Sequence, residues 1–215
     1  MAIRRQQILE AARRLIESRG YQGLTMRSLA DESGVTVPTI YNLIGNKEQV
    51  LFETVEDQTA AFVANMDRSD GSLTSVVEVT VRQLIRRPAY YRTLLKVLAH
   101  ADRGDSVRRY VGRAISVQIS RSLDELADRG VLAKWVEREM LAQRLQAQLD
   151  MASLEWARGS LTATSFRAAA LVDLATTMLG LTSGTERSAY ERLIRDLQLE
   201  AMRPPAPRRK GRRAA

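Results

Sequence analysis

Residues 25–47, TMRSLADESGVTVPTIYNLIGNK, hold two helix-starting residues, Thr25 and Thr36, on either side of a glycine turn at Gly34. A threonine ahead of a helix satisfies, with its hydroxyl, one of the amides that the first turn leaves without a partner. Two such caps this close together leave room only for short helices, the second over residues 37–43. Leu29 and Ala30 face inward from the first helix, and Pro38 sits in the first turn of the second, where its missing amide hydrogen breaks no internal bond. Ile40 and Ile44, four apart, pack on the preceding helices and leave Val37, Pro38, Thr39, Tyr41 and Asn42 on the outer side. That is the layout of a helix-turn-helix, whose second helix reads DNA.

The rest of the chain is also helical in pattern. No run sustains an alternation of apolar and polar residues, so the fold class is all-α. Ile8, Ala12, Leu15 and Ile16 stripe a first helix over residues 4–19, with Gly20 as its cap. A longer helix from Lys47 carries Val50, Leu51, Thr54, Val55 and Phe62, and six more are expected over 72–86, 88–101, 105–129, 136–158, 164–182 and 186–202. With 215 residues, two unequal parts fit best: a small domain over 1–47 and a larger one over 48–202. The ending 203–215, rich in proline, arginine and lysine, is expected to be disordered.

Two of these helices carry more apolar surface than one packing partner can cover. On 136–158, Leu141, Leu145, Leu149, Ala152 and Trp156 form one stripe, and Met140, Ala147, Met151 and Leu154 a neighbouring one. The helix 164–182 is similar, with small residues that permit close approach. The pair fits half of an intermolecular four-helix bundle in a homodimer; the alternative is a central core pair within one chain.

Charge is placed unevenly. Residues 1–47 hold seven Lys and Arg against four acids, 48–202 hold twenty against twenty-one, and 203–215 hold six against none. A near-neutral body with two basic ends suits a polyanion met at the N-terminal part, with the tail as a second contact or simply a solvated excess. The chain has no cysteine, no apolar run of signal-peptide length and none of transmembrane length, so a soluble, cytoplasmic protein is expected.

In its second and third helices the chain resembles the TetR family of bacterial transcriptional regulators. The resemblance is carried by Thr25, Leu29-Ala30, Gly34-Val35-Thr36, Pro38-Thr39-Ile40-Tyr41 and Asn46-Lys47-Glu48, in one register behind an amphipathic first helix. Where the family commonly has His, an aromatic pair and a turn former, this chain has Asn42, Leu43 with Ile44, and Gly45. The resemblance implies a homodimeric repressor on a palindromic operator, with phosphate contacts from Thr25, Thr36, Tyr41 and Lys47. Base edges would meet Val37, Pro38 and Thr39, and Arg27 would read guanine or hold phosphate. Asn42 can donate to phosphate or read adenine, and Arg4 with Arg5 fits a basic arm.

The resemblance also implies a small-molecule effector, of unknown identity, in the larger domain. Lining candidates are Tyr90, Tyr91, His100, Trp135, Gln148, Met151, Glu155 and Trp156, a mixture of apolar surface with a few polar groups. Catalysis is not expected. His100 is the only histidine, and no hydrolase, nucleotide or dinucleotide fingerprint, metal motif or cofactor signature appears. The alternative to a repressor is a structural or DNA-compacting helical protein, which would bind random and specific DNA equally at fixed salt.

Overall fold

The computed structural model describes residues 2–66, 68–100 and 105–202, with the backbone alone at 2, 61, 100, 105–109, 111, 201 and 202. The basic segment 203–215 therefore lies outside the described residues, as does the side chain of His100. Among the described residues ten helices follow one another: α1 (Ala2–Gly23), α2 (Met26–Ser33), α3 (Val37–Leu43), α4 (Lys47–Met66), α5 (Leu73–Arg86), α6 (Pro88–His100), α7 (Asp105–Asp128), α8 (Arg138–Arg158), α9 (Ala163–Leu179) and α10 (Gly184–Met202). Among the described residues there is no strand; one isolated bridge, Leu132 to Thr182, ties the loops before α8 and α10. No described helix is long and apolar enough to cross a membrane.

The local signals act as their chemistry requires. Thr25 and Ser28 cap α2 reciprocally, each side-chain oxygen accepting the other's backbone amide at 3.0 and 2.9 Å. Gly34 closes α2 in the left-handed region at φ 67°, its amide donating to the Ala30 carbonyl. Asn46 and Gln49 form the same reciprocal cap at the start of α4, at 2.9 and 2.8 Å. Gly20 also adopts a left-handed φ, 68°, but the chain resumes a helical turn beyond it, so α1 reaches Gly23 across a kink.

The first three helices close over a small core of Ile8, Ala12, Leu15, Ile16, Leu29 and Ile40, to which α4 adds Val50. The same core continues through α4 and α6 to α8 and α9. Trp156 of α8 and Phe166 of α9 are fully buried and stacked, with centroids 5.4 Å apart, a contact worth about 0.5–1.5 kcal/mol beyond area burial. Packing separates the two apolar stripes of α8. Leu141, Leu145, Leu149, Ala152 and Trp156 are buried, whereas Met140 and Met151 stay 64% and 58% exposed. On α9, Leu171, Leu174, Ala175 and Met178 are buried against α5, α8 and α10, and Val172 and Leu179 are half-buried.

Candidate DNA interface and effector cavity

The outer face of α2 and α3 carries Thr25, Arg27, Thr36, Pro38, Tyr41 and Asn42 exposed, with Val37, Thr39 and Lys47 half-buried beside them. Ile40 is fully buried and holds α3 against the small core, so the polar side of this short helix faces out. Tyr41 is 52% exposed, more than packing alone accounts for in so large a ring. The Thr36 and Thr39 hydroxyls bond each other at 2.8 Å, fixing the first turn of α3.

The N-terminus of α1 lies beside this surface. Ile3 and Arg4 share an open cleft with Thr39, Asn42 and Leu43, placing a guanidinium next to α3. Arg5 instead pairs with Glu53 of α4 at 2.9 Å. The pair therefore splits: both residues belong to a helix from Ala2, and only Arg4 faces the reading surface. Lys47 sits with its ammonium 4.1 Å from the centre of the Tyr21 ring, and burial lowers its pKa from the ordinary lysine value.

Further along the chain, α4, α5, α6, α7 and α8 line a cavity of about 100 Å³ that opens to solvent. Its wall is mainly leucine, valine, isoleucine and phenylalanine, with polar groups from Gln58, Gln83, Tyr90, Tyr91, Asp150 and Ser153. Gln83 of α5 donates to the Tyr91 hydroxyl at 2.6 Å, and that hydroxyl donates to Gln58 Oε1 of α4 at 3.4 Å. Tyr90 donates to Thr54 Oγ1 of α4 at 3.4 Å. Burial pushes the Tyr90 phenol up to about 12, against the Thr54 hydrogen bond, and raises Tyr91 as well; both rings are neutral at physiological pH.

Of the residues named from sequence as lining candidates, Tyr90 and Tyr91 face this cavity. Trp156 is buried against Phe166, with the Arg92 guanidinium 4.8 Å from its ring. Gln148 bonds Thr177 of α9 at 3.0 Å beside a separate small void. Trp135, at 76% exposure, Met151 and Glu155 lie on the outside, because the helical turn that buries Leu149 and Ala152 swings Met151 and Glu155 away from the core. Gln58 and Gln83, which sequence reading did not single out, complete the polar end; a glutamine on an amphipathic helix gives no sign of which cavity it will meet.

An ion network joins the cavity's helices to α1. Arg13 of α1 pairs with Glu10 and with Asp57 of α4, both at 2.7 Å. Arg87, just ahead of α6, pairs with Glu10 at 2.9 Å and with Glu17 at 3.0 Å. Asp57 is the neighbour of Gln58, and Arg87 stands three residues before Tyr90, so the same two segments contact both the head and the cavity.

This arrangement has relatives. The profile of the family described as "Bacterial regulatory proteins, tetR family" matches residues 8–54. The transcriptional repressor AcnR of Corynebacterium glutamicum is 30% identical over 156 residues, covering 68% of this chain and 78% of AcnR. The transcriptional regulator BetI of Agrobacterium fabrum is 28% identical over 134 residues, 58% of this chain and 65% of BetI. Among solved structures, the regulator FadR of Bacillus subtilis, in complex with stearoyl-CoA, superposes with a TM-score of 0.66 at 17% identity, over 75% of this chain and 95% of that one. A TetR-family regulator from Marinobacter aquaeolei gives 0.64 at 16% identity, over 90% and 98%. Domain order, helix-turn-helix register and similarity over most of AcnR agree: this chain belongs to the TetR family of bacterial transcriptional regulators and is not an enzyme.

Proposed function

We propose that the chain is a repressor that binds a palindromic operator as a homodimer and releases it when a small molecule fills the cavity between α4 and α8. The observation that carries this reading is the shared use of α4 and α6: each touches the cavity through Gln58, Tyr90 and Tyr91, and their flanks hold α1 through Asp57 and Arg87. A ligand that prefers a different spacing of these helices would shift the head, and only such a preference can lower DNA affinity. Residues 1–47 form the reading head and 48–202 the regulatory and dimerisation part, with α4 as the lever between them.

On the DNA side, Thr25, Arg27, Tyr41, Asn42 and Lys47 hold the backbone around Val37, Pro38 and Thr39, which meet base edges. One head covers about one half-site, so tight, specific binding calls for two. The outer faces of α8 and α9 supply the dimer contact. Besides Met140, Ala147 and Met151, this face carries Glu155 and Asp173; burial and then the Glu155 charge raise the Asp173 pKa. A partner's cation would relieve that pair, and Arg144 and Arg158 are exposed on the same helix. FadR, solved in complex with stearoyl-CoA, supports a small-molecule ligand, and the cavity here fits a mainly apolar group with a hydrogen-bonding atom near Tyr91.

Selecting bound sequences from a random duplex pool tests the reading. A palindromic consensus bound by two protomers is expected. Equal affinity for random and selected DNA at the same salt would instead favour a DNA-compacting protein.

A further inference from the structure

Tyr21 follows the Gly20 kink and is half-buried against the small core, so its ring is fixed beside the start of α4. Lys47 is the first residue of that helix, with its Nζ 4.1 Å from the ring centroid. This is an unfavourable place for a cation. The positive end of the helix dipole opposes it, and burial strips water from the ammonium and lowers its pKa. The negative face of the aromatic ring favours a positive charge here, and so would an anion arriving from outside. Burial, then the charge of Glu48, raises the Tyr21 phenol above the ordinary tyrosine value, so the ring is neutral when it meets the lysine.

We propose that Tyr21 is a positioning residue for DNA binding, a platform whose π-face holds the Lys47 ammonium where a DNA phosphate reaches it. The proposal rests on the reading that Lys47 contacts phosphate. A lysine on a four-carbon stem loses rotamer freedom when it docks; resting on the ring, it has lost much of that freedom before DNA arrives. The ring covers one side of the ammonium, and the other side remains for a phosphate oxygen. The hydroxyl has no part in this, so phenylalanine should replace tyrosine and an aliphatic residue should not.

The test is equilibrium binding of the full chain to a fluorescent random-sequence duplex over a range of salt concentrations, with Tyr21→Phe, Tyr21→Leu, Lys47→Ala and the Tyr21→Leu/Lys47→Ala double variant. Lys47→Ala should lower the slope of log K against log salt by about one. Tyr21→Phe should match the parent, while Tyr21→Leu weakens low-salt binding by about two- to fivefold, as expected for one exposed cation–π contact. The double variant should be no weaker than Lys47→Ala, because Tyr21 acts through the lysine. Tyr21→Met, which keeps apolar bulk without a π-face, replaces the leucine variant if thermal unfolding shows that one to be misfolded. Additive losses, tighter binding by Tyr21→Leu, or Tyr21→Phe as weak as Tyr21→Leu would each overturn the platform. An unchanged slope in Lys47→Ala would overturn the phosphate contact itself, and the proposal with it.

Discussion

Arg13 of α1 is 3% exposed and donates to Asp57 of α4 at 2.7 Å, in a chain where other paired arginines keep a third or more of their surface in water or sit near it. Burying a guanidinium costs several kcal/mol in lost hydration, which its two carboxylate partners offset. Its position, between the reading head and the helix that borders the cavity, makes it a structural joint as well as an ion pair.

Arg13→Ala should destabilise the protein by about 1–3 kcal/mol in urea unfolding, below the range for fully buried pairs because Glu10 and Asp57 keep 38% and 35% of their surface exposed. A change under about 0.5 kcal/mol would mean that solvent screens the pair as it does on the surface.

Acid should weaken the same joint. Burial works to raise the Glu10 pKa, but hydrogen bonds from Arg87 and Arg13 outweigh it and hold the carboxyl below the ordinary glutamate value. A depressed folded pKa gives stability that is fully present above about pH 4.3, the unfolded value, and is lost as pH falls through the lower folded value. Melting temperatures measured from pH 7 to 3 should fall less steeply for Glu10→Gln than for the parent.

Gly34 has no heavy atom within 4 Å of where a β-carbon would stand, so its φ of 67° alone sets the cost of a side chain. Gly34→Ala should cost about 1 kcal/mol in thermal unfolding and Gly34→Asn less, since asparagine tolerates the left-handed region. Equal losses for both would point to a contact rather than to backbone conformation.

Ser153 lines the cavity and donates to the Leu149 carbonyl within its own helix, so its hydroxyl can be removed without leaving a distant partner unpaired. Ser153→Leu should fill the cavity, keep operator affinity within about threefold and abolish release by an inducing compound found in a reporter screen. Retained induction would move the effector elsewhere.

Met151 is exposed on the outer stripe of α8. Met151→Arg should leave the monomer folded, shift sedimentation from dimer to monomer, and reduce operator affinity by at least about tenfold through loss of the second head. A dimer that persists would place the interface on another face.

Local chemistry along the chain sets the elements and the register of the first three helices. Thr25, Gly34, Thr36 and Pro38 act through bonds to residues one to four positions away, so their effect is legible without knowing the rest of the fold. The same holds for the two stripes of α8, whose angular separation is a property of any α-helix. Tertiary structure decided which stripe is buried, and it chose Leu149 and Trp156 over Met140 and Met151. It also brought Gln83 to Tyr91, Arg13 to Asp57 and Lys47 to the Tyr21 ring. Such pairs depend on how helices cross, and helix crossing is set by the summed packing of many side chains, which no local spacing encodes. Hence the exposed face of α2 and α3 was readable along the chain, whereas the cavity and its link to α1 exist only in the assembled bundle.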